Sequence, residues 1–417
     1  MSKKLSIGLV GFGCVGSGLY EVLNQSNLID AEIKRIVVKD KSKKRSIPQE
    51  NFSYDVNEII DDENINVVIE LINDSDSAYT IVKRSLNAGK DVVTANKKML
   101  AEHLDELILL ANDNNASLLY EGAVAGSIPV IRNLEEYYNN DSLNSVEGIV
   151  NGTTNYILTK ANDGIDYETA LQEAQDLGFA ELNPTLDVDG YDSKYKLVLL
   201  IKHAFGITTS PSDLFNVGIR NVSSHEVNYA LEKGYRTKLI SRAEKIGSEV
   251  VGFVAPHFIR KDHFAYTVDN EFNAVIVEAL FSDKQLFIGK GAGSYPTASA
   301  VLSDVSALKL DYKYEYRKTD ADKDLTFTSD FFLKVYLGSQ FIEAINEIPF
   351  YKIDEVFQSE DYSYQTGWVR FSELTTFDFN NRKELSLIIL PEKFQETTTF
   401  EKNQKSIQQR KLQPELT

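Results

Sequence analysis

The first third of the chain alternates short apolar runs with amphipathic ones. The apolar, β-prone runs are Leu5–Val10, Glu32–Val38, Asn66–Ile72, Asp91–Thr94 and Ser117–Tyr120. Between them, Tyr79–Ala88 and Met99–Asn112 repeat apolar residues at helical spacing. Strands that alternate with helices through short loops predict an α/β fold with a doubly wound parallel sheet.

From residue 131 onward, strand-like and helical runs are mixed. The strand-like runs are Glu147–Val150, Val250–Ile259 and Ala274–Phe281, and the helical runs are Ile131–Tyr138, Asn155–Ala161, Tyr167–Leu177, Asp192–Phe205 and Glu226–Gly234. This mixture predicts an α+β domain over residues 131–295 with a largely antiparallel sheet. A helix predicted at about 296–315 is assigned to the first domain, residues 1–130.

The last quarter of the chain predicts a small α+β region over residues 326–392. Its predicted strands and one helix, in the order strand, helix, strand, strand, are Phe331–Leu337, Gln340–Ile345, Tyr364–Leu374 and Leu385–Ile389. Residues 393–417 are rich in Gln, Lys, Glu and Thr, which predicts a flexible tail.

Composition narrows the functional classes. The 417 residues carry a net charge of −18, spread along the chain, which argues against a nucleic-acid or membrane-surface binder. No run is apolar enough to predict a membrane span or a signal peptide. The one cysteine, Cys14, cannot form an internal disulfide, which fits a reducing, cytoplasmic location.

A glycine-rich motif follows the first predicted strand and opens a helix. In the GxGxxG pattern, the first glycine permits a tight turn, the second lets the backbone approach a pyrophosphate, and the third permits close helix–strand packing. This context favours dinucleotide binding over a merely structural turn. The motif consists of Gly11, Phe12, Gly13, Cys14, Val15 and Gly16.

In such a fold, the residue at the end of the second strand determines the preference between NAD and NADP. An acidic residue favours the ribose hydroxyls of NAD, and a basic one accommodates the 2′-phosphate of NADP. This chain offers both Lys39 and Asp40, with further basic residues at 41–45. We therefore favour NADP, while NAD and a merely solvated basic loop remain alternatives.

Two other segments carry candidate chemistry. The loop before one predicted helix contains Glu181, Asp187 and Asp192, and Lys196 lies four residues after Asp192 on the same helix face. Such a pair is usually an exposed ion pair, although a lysine beside carboxylates can also transfer protons. Lys97 follows a predicted strand end, where parallel sheets bind their ligands.

Together these motifs resemble the homoserine dehydrogenases. The matching segments are residues 11–16 (GFGCVG), 94–97 (TANK), 121–129 (EGAVAGSIP), 148–158 (GIVNGTTNYIL), 178–196 and 289–301 (GKGAGSYPTASAV). They occur in the family's order over about residues 5–310. The resemblance implies a Rossmann-type sheet and reversible hydride transfer between L-homoserine or L-aspartate 4-semialdehyde and NAD(P), in threonine, methionine and isoleucine biosynthesis.

The resemblance also implies residue roles. Lys196 would transfer the proton, Asp192 would orient it, and Lys97 would line the same pocket near substrate and nicotinamide. Substrate contacts would come from Glu181, Asp187, Asn183 and the backbone of Gly152 and Thr153. Cofactor contacts would come from Gly11, Phe12, Gly13, Val15, Gly16, Lys39, Thr94, Lys97 and Gly293 in the turn 291–293. A monovalent cation, sodium or potassium, would be held by Glu121, Val124, Gly126 and Ile128.

Some positions depart from the family pattern. The family commonly has Asp where Asn183 stands, Tyr where Phe179 stands, and a glycine pair where this chain has Asn73 and Asp74. None of these positions is Lys196 or Asp192, so the departures affect the expected substrate affinity more than the expected chemistry. They also motivate an alternative, a dinucleotide-binding sensor without catalysis. A semialdehyde dehydrogenase that forms a thioester is disfavoured because Cys14 lies in the glycine turn.

The resemblance extends to organisation. A monofunctional enzyme is expected, without a kinase domain before the first strand, as a homodimer or homotetramer. Residues 326–392 are expected to form either a regulatory ACT-like domain or an extension that packs on the core.

Overall fold

The computed structural model describes residues 4–25, 29–321, 325–402 and 404. Its first layer is a six-stranded parallel sheet in the order β3-β2-β1-β4-β5-β6, called the parallel sheet below. The strands are β1 (Leu5–Val10), β2 (Ala31–Val37), β3 (Phe52–Ser53), β4 (Val67–Glu70), β5 (Asp91–Thr94) and β6 (Leu118–Leu119). The doubly wound α/β prediction is confirmed.

Helices cover the parallel sheet because their apolar faces are buried against it. They are α1 (Cys14–Gln25), α2 (Asn57–Ile60), α3 (Ser75–Asn87) and α4 (Lys97–Asp113), together with α11 (Ser294–Leu308), which returns from far along the chain to pack against α1. Gly18 permits this return, because a Cβ there would lie 2.3 Å from Ser294 Oγ. The helix predicted at about 296–315 ends earlier than expected, at Leu308.

A second, mixed sheet spans the rest of the chain. In the described residues its main path runs β12-β11-β7-β9-β10-β17-β14-β16-β15, with β8 and β13 pairing with β10 and β18 with β14. The strands before residue 291 are β7 (Leu143–Ile149), β8 (Phe215–Asn216), β9 (Arg236–Ile246), β10 (Glu249–Ile259), β11 (Phe272–Ala279) and β12 (Asp283–Lys290). Five of them, β12, β11, β7, β9 and β10, pair antiparallel in this order along the path, as predicted.

The helices of this region pack on one another and on the mixed sheet. They are α5 (Ile131–Glu135), α6 (Gly152–Asn162), α7 (Tyr167–Asp176), α8 (Thr185–Val188), α9 (Tyr191–Phe205) and α10 (Ser224–Lys233), with short 3-10 helices at Gln49–Asn51, Glu121–Ala123 and Tyr137–Asn140. Helix α9 is almost wholly buried between α4 and strands β9 and β10. It therefore brings its side chains close to both sheets.

The C-terminal region forms a βαββαβ unit. After α12 (Arg317–Ala321) and β13 (Thr326–Phe327) come β14 (Phe331–Ser339), α13 (Ile342–Asn346), β15 (Lys352–Gln358), β16 (Ser363–Arg370), α14 (Phe371–Leu374), β17 (Leu385–Ile389) and β18 (Gln395–Glu396). Its strands lie in the order β17-β14-β16-β15, and β17 joins the mixed sheet through one pairing, His257 with Ile389.

Several local predictions were wrong. The run 364–374 is not one strand, because the chain leaves β16 at Arg370 and turns into α14. Strands β9, β12 and β15 were missed because charged residues interrupt their apolar pattern. Part of the predicted tail is ordered, since β18 pairs with β14 and Phe400 is buried against Phe332 and Trp368. Residues 403 and 405–417 of that prediction lie outside the described residues.

None of the described helices has the length and apolar character that a membrane crossing needs.

Candidate active site

A cleft of about 600 Å³ lies where the ends of the parallel strands face helices α6 and α9. One wall, called the dinucleotide wall, consists of the glycine turn, the segments that follow β4 and β5, and the start of α11. The opposite wall, called the substrate wall, consists of α6, α9 and the loops before them. The lining residues that matter below are Cys14, Val15, Leu71, Asn73, Lys97, Asn151, Gly152, Thr153, Asp187, Asp192, Lys196, Glu271, Lys290 and Gly293.

The glycine turn is built from backbone that side chains would block. Gly11 has a φ of +99°, and a Cβ there would lie 2.6 Å from the carbonyl oxygen of Leu71. A Cβ at Gly16 would lie 2.4 Å from the carbonyl oxygen of Gly11, so the helix can approach the turn this closely only with glycine. Gly13 faces open space, with nothing within 4 Å of the same position. The turn therefore fits a pyrophosphate that approaches Gly13 and the N-terminus of α1.

Helix α9 supplies the central pair of the substrate wall. Gly190, with a φ of +80°, turns the chain into the helix, and Asp192 and Lys196 lie one turn apart on the face that points into the cleft. Lys196 Nζ lies 2.7 Å from Asp192 Oδ2 and donates a 2.6 Å hydrogen bond to the carbonyl oxygen of Val150. Both side chains are more than nine-tenths buried, so the pair is not an exposed surface ion pair.

Lys97 reaches the same carboxylate from the dinucleotide wall. It is the first residue of α4, which is capped by Asn96, and its Nζ lies 2.9 Å from Asp192 Oδ1. Its side chain keeps 42% of its surface exposed, and it lines the cleft. The Asp192 carboxylate thus connects two lysines that come from different walls.

The pKa values of Lys97 and Lys196 are shifted in opposite directions. The Asp192 charge raises the pKa of Lys97 above its ordinary value, so Lys97 stays an ammonium. Burial lowers the pKa of Lys196, and this outweighs the opposing pull of Asp192. Burial alone would raise the pKa of Asp192, but the charges of Lys196 and Lys97 hold it below its usual range. The arrangement provides a permanent cation, a permanent anion and a lysine that can lose its proton.

Comparison with known proteins decides the family. The homoserine dehydrogenase family model matches residues 129–306, and the model of the homoserine dehydrogenase NAD-binding domain matches residues 11–121. The homoserine dehydrogenase of Bacillus subtilis (strain 168) is 35% identical over 378 residues, which cover 87% of each chain. That of Corynebacterium glutamicum is 38% identical over 317 residues, or 73% of this chain and 71% of its own.

The chain belongs to the homoserine dehydrogenase family. Solved structures agree: the homoserine dehydrogenase from Thiobacillus denitrificans aligns with a TM-score of 0.83 at 29% identity, covering 94% of this chain and 99% of its own. The Staphylococcus aureus homoserine dehydrogenase at pH 8.5 aligns with a TM-score of 0.71, also at 29% identity, covering 94% and 99%. The prediction of an NAD(P)-dependent homoserine dehydrogenase is thereby confirmed.

Several residues assigned from the family resemblance lie away from the cleft. Glu181 and Asn183 are exposed, and Asn183 uses its side chain to cap the turn at Thr185. Thr94 is fully buried and donates its hydroxyl to Glu70, so this hydroxyl is not available to a cofactor. Phe12 is buried against Phe52. The side chains of these four residues are therefore not among those that line the cleft, and their assigned roles stay predictions.

In the predicted cation loop, contacts within the fold hold the Glu121 side chain. The Glu121 carboxylate accepts hydrogen bonds from the backbone N–H groups of Ile131, at 2.8 Å, and Arg132, at 2.9 Å. The Arg132 guanidinium lies 3.7 Å from the same carboxylate. Each Glu121 carboxylate oxygen is therefore already bound to a backbone N–H group and lies beside a guanidinium, surroundings that do not favour a cation-ligand role.

Sequence reasoning missed three residues that line the cleft. Glu271 and Lys290 lie 3.5 Å apart as an ion pair, at the start of β11 and the end of β12. Asn151 joins the Asp187 and Asp192 carboxylates through its side-chain amide. The signal for Asn151 was its place at the junction of a strand and a helix, beside Gly152 and Thr153. Lys290 lies within the matched segment 289–301 but was not assigned a role, and no motif marked Glu271.

Proposed function

We propose that this cleft interconverts L-homoserine and L-aspartate 4-semialdehyde, with Lys196 as the proton-transfer group. The observation that carries the proposal is the buried Lys196 with a lowered pKa, fixed between Asp192 and the Val150 carbonyl and facing the glycine turn across the cleft. In alcohol oxidation the neutral Nζ accepts the hydroxyl proton, and in the reverse direction the ammonium returns it. When bound, the nicotinamide accepts or supplies the hydride.

Lys97 and Asp192 complete the proton-transfer group. Lys97 remains charged in both directions, so it donates a hydrogen bond to the reacting oxygen and stabilises negative charge that develops there. Asp192 holds both Nζ atoms in place, 2.9 Å from Lys97 and 2.7 Å from Lys196. Because Asp192 keeps its charge, it orients the lysines without exchanging a proton itself.

Asp187 and the start of α6 are proposed to bind the substrate's amino-acid end. Asp187 lines the cleft beside Asp192, and its carboxylate is an acceptor for the substrate ammonium. The Thr153 hydroxyl donates a hydrogen bond to the carbonyl oxygen of Phe179. The backbone of Gly152 and Thr153 is then left to contact the substrate. Glu181 lies on an exposed loop from which its charge still acts on Lys97, so it contributes attraction at the rim.

NADP is proposed as the preferred cofactor. Asp40 is partly occupied, because its Oδ1 accepts hydrogen bonds from the backbone and hydroxyl of Ser42 and only its Oδ2 is left for a ribose hydroxyl. Lys39, Lys41, Lys43 and Lys44 are exposed just after β2, where a 2′-phosphate would lie. Gly11, Gly13, Val15, Gly16 and Gly293 form the surface for the remaining contacts.

A monovalent cation is proposed only through backbone carbonyls. Because the Glu121 oxygens are occupied by two N–H groups beside Arg132, the carbonyl oxygens of Val124, Gly126 and Ile128 would be the ligands, and no catalytic step depends on the ion. We also propose a homodimer or homotetramer in the cytoplasm, with residues 131–295 as the substrate and dimerisation region. The βαββαβ order supports a regulatory ligand-binding role for residues 326–392.

The assay is direct. Reduced nicotinamide absorbance is followed with L-homoserine and NADP, then with NAD, and turnover is expected with both and faster with NADP. Repeating the measurement with added threonine tests the regulatory role of the C-terminal unit. Binding of the dinucleotide without any turnover would instead support the non-catalytic sensor and reject the proposed reaction.

A further inference from the structure

Asn151 occupies the junction between β7 and α6, and its side chain is fully used. Its Oδ1 accepts a 2.9 Å hydrogen bond from the N–H of Thr154 and thereby caps α6. Its Nδ2 donates to Asp187 Oδ1 at 2.7 Å and to Asp192 Oδ2 at 2.9 Å. The residue is only 5% exposed. The amide therefore has one fixed orientation, since a flip would turn its oxygen toward two carboxylates.

The two carboxylates that Asn151 joins repel each other. Burial raises the pKa of Asp187, and the charge of Asp192 raises it further, while the hydrogen bond from Asn151 acts in the opposite direction. The same hydrogen bond helps to hold the pKa of Asp192 low. A neutral group with two N–H donors is thus placed where it weakens the repulsion between the two carboxylates.

The junction also fixes Lys196. The carbonyl oxygen of Val150, the residue before Asn151, accepts the 2.6 Å hydrogen bond from Lys196 Nζ. Asp192 Oδ2 accepts hydrogen bonds from Lys196 Nζ and Asn151 Nδ2, while its Oδ1 pairs with Lys97 Nζ. One short backbone segment therefore determines how the lysine and its carboxylate are aligned.

We propose that Asn151 is a positioning residue that aligns Asp192 with Lys196 and holds Asp187 beside them for the substrate ammonium. The proposal rests on the proposed function, in which Lys196 transfers the proton. Asn151 acts through the carboxylates and does not exchange a proton with the substrate. Its specific contribution is the pair of N–H donors, which serine and aspartate, equally good helix caps, do not supply.

Substitution by serine and by aspartate separates positioning from capping. Asn151→Ser keeps a cap and removes both donors, and Asn151→Asp keeps a cap and adds a third carboxylate. We expect about a ten- to hundredfold fall in kcat for Asn151→Ser, because a buried charged group loses its hydrogen bond. The KM for homoserine should rise as well, because Asp187 loses its donor, while dinucleotide affinity should stay unchanged.

The pH profile supplies a readout that a merely structural role would not change. Lys196 faces Asp192 on its own helix, Lys97 on α4 and Asp187 on α8. Without the amide donors, the carboxylates pull more strongly on the Lys196 proton. The limb of kcat/KM assigned to Lys196 should therefore move to higher pH in Asn151→Ser and further in Asn151→Asp.

The matched control is Asn155→Ser in the same helix. The Asn155 amide donates to the carbonyl oxygens of Val268 and Phe272 and does not contact the carboxylates. This control should lose thermal stability and keep the wild-type pH limb. The inference would be overturned if both Asn151 variants kept the wild-type kcat and the wild-type position of the kcat/KM limb. If one of the two variants does not fold, the other one decides. Absence of turnover in the wild type would instead reject the proposed function, and this inference with it.

Discussion

Two buried carboxyl groups, Glu70 behind the dinucleotide wall and Asp192 on the substrate wall, have pKa values shifted in opposite directions. Glu70 is the last residue of β4 and accepts hydrogen bonds from the Thr94 hydroxyl and the Ile72 N–H, both at 2.6 Å. Burial raises its pKa to about 7. On the substrate wall, the lysines beside Asp192 hold its pKa below the usual range. Comparable burial therefore leaves Asp192 charged and makes Glu70 titratable near neutral pH.

The comparison shows two ways to build a binding wall. The dinucleotide wall uses backbone shape: Gly11 and Gly16 permit close contacts, and Glu70 ties the ends of β4 and β5 together through Thr94. The substrate wall uses fixed charges in a connected network around Asp192. Substitutions in the glycine turn should thus alter dinucleotide affinity, and substitutions in the Asp192 network, which Lys97 joins from the dinucleotide wall, should alter turnover.

The largest expected effect is on the substrate wall. Lys196→Ala should reduce kcat by at least about a thousandfold, because general acid–base catalysis contributes about 10²- to 10⁴-fold and a buried carboxylate also loses its partner. Dinucleotide affinity, measured by fluorescence titration, should change little. Lys194→Ala is the matched control on the same helix, since Lys194 lies over the Tyr191 ring outside the cleft. A Lys196→Ala enzyme with wild-type turnover would remove Lys196 from the mechanism.

A smaller effect is expected on the dinucleotide wall, where two glycines can be compared. Gly13→Ala meets no atoms within 4 Å, so it should keep the melting temperature and weaken dinucleotide binding about tenfold by blocking the pyrophosphate. Gly16→Ala should reduce both the melting temperature and the dinucleotide affinity. Its Cβ would collide with the Gly11 carbonyl, and overpacking costs about 1–3 kcal/mol. Equal affinities for Gly13→Ala and the wild type would reject the assigned approach of the phosphates.

The smallest expected effect concerns Glu70. Because the folded-state pKa is raised to about 7, protonated Glu70 favours the folded state at low pH, and this contribution is lost as the pH rises through about 7. From about pH 6 to about pH 8 the loss amounts to about 1 kcal/mol in the free energy of unfolding. Glu70→Gln should remove this slope in urea titrations across that range. An unchanged slope would assign the titration to another group.

How much of this could be predicted depended on how local each feature is. The glycine turn needs only nearby residues and their spacing, so residues 11–16 were identified from sequence. The Asp192–Lys196 pair was visible because both lie on one helix, but its burial and its contact with Lys97 depend on how α4 and α9 pack. Glu181 and Asn183 were placed by motif resemblance, whereas their loop leaves them exposed. Strand β9 was missed because Lys and Arg residues interrupt its apolar pattern.

The return of α11 to α1 has a consequence for the order in which the protein is made. The strands of the parallel sheet have all been synthesised by Leu119, but the helix that packs on α1 is encoded at Ser294–Leu308. During synthesis of the intervening residues, the side of α1 that carries Gly18 lacks the Ser294 backbone that later closes over it. Domains generally fold as units while the chain emerges. The nascent chain therefore completes its substrate wall before the nucleotide turn gains its final support.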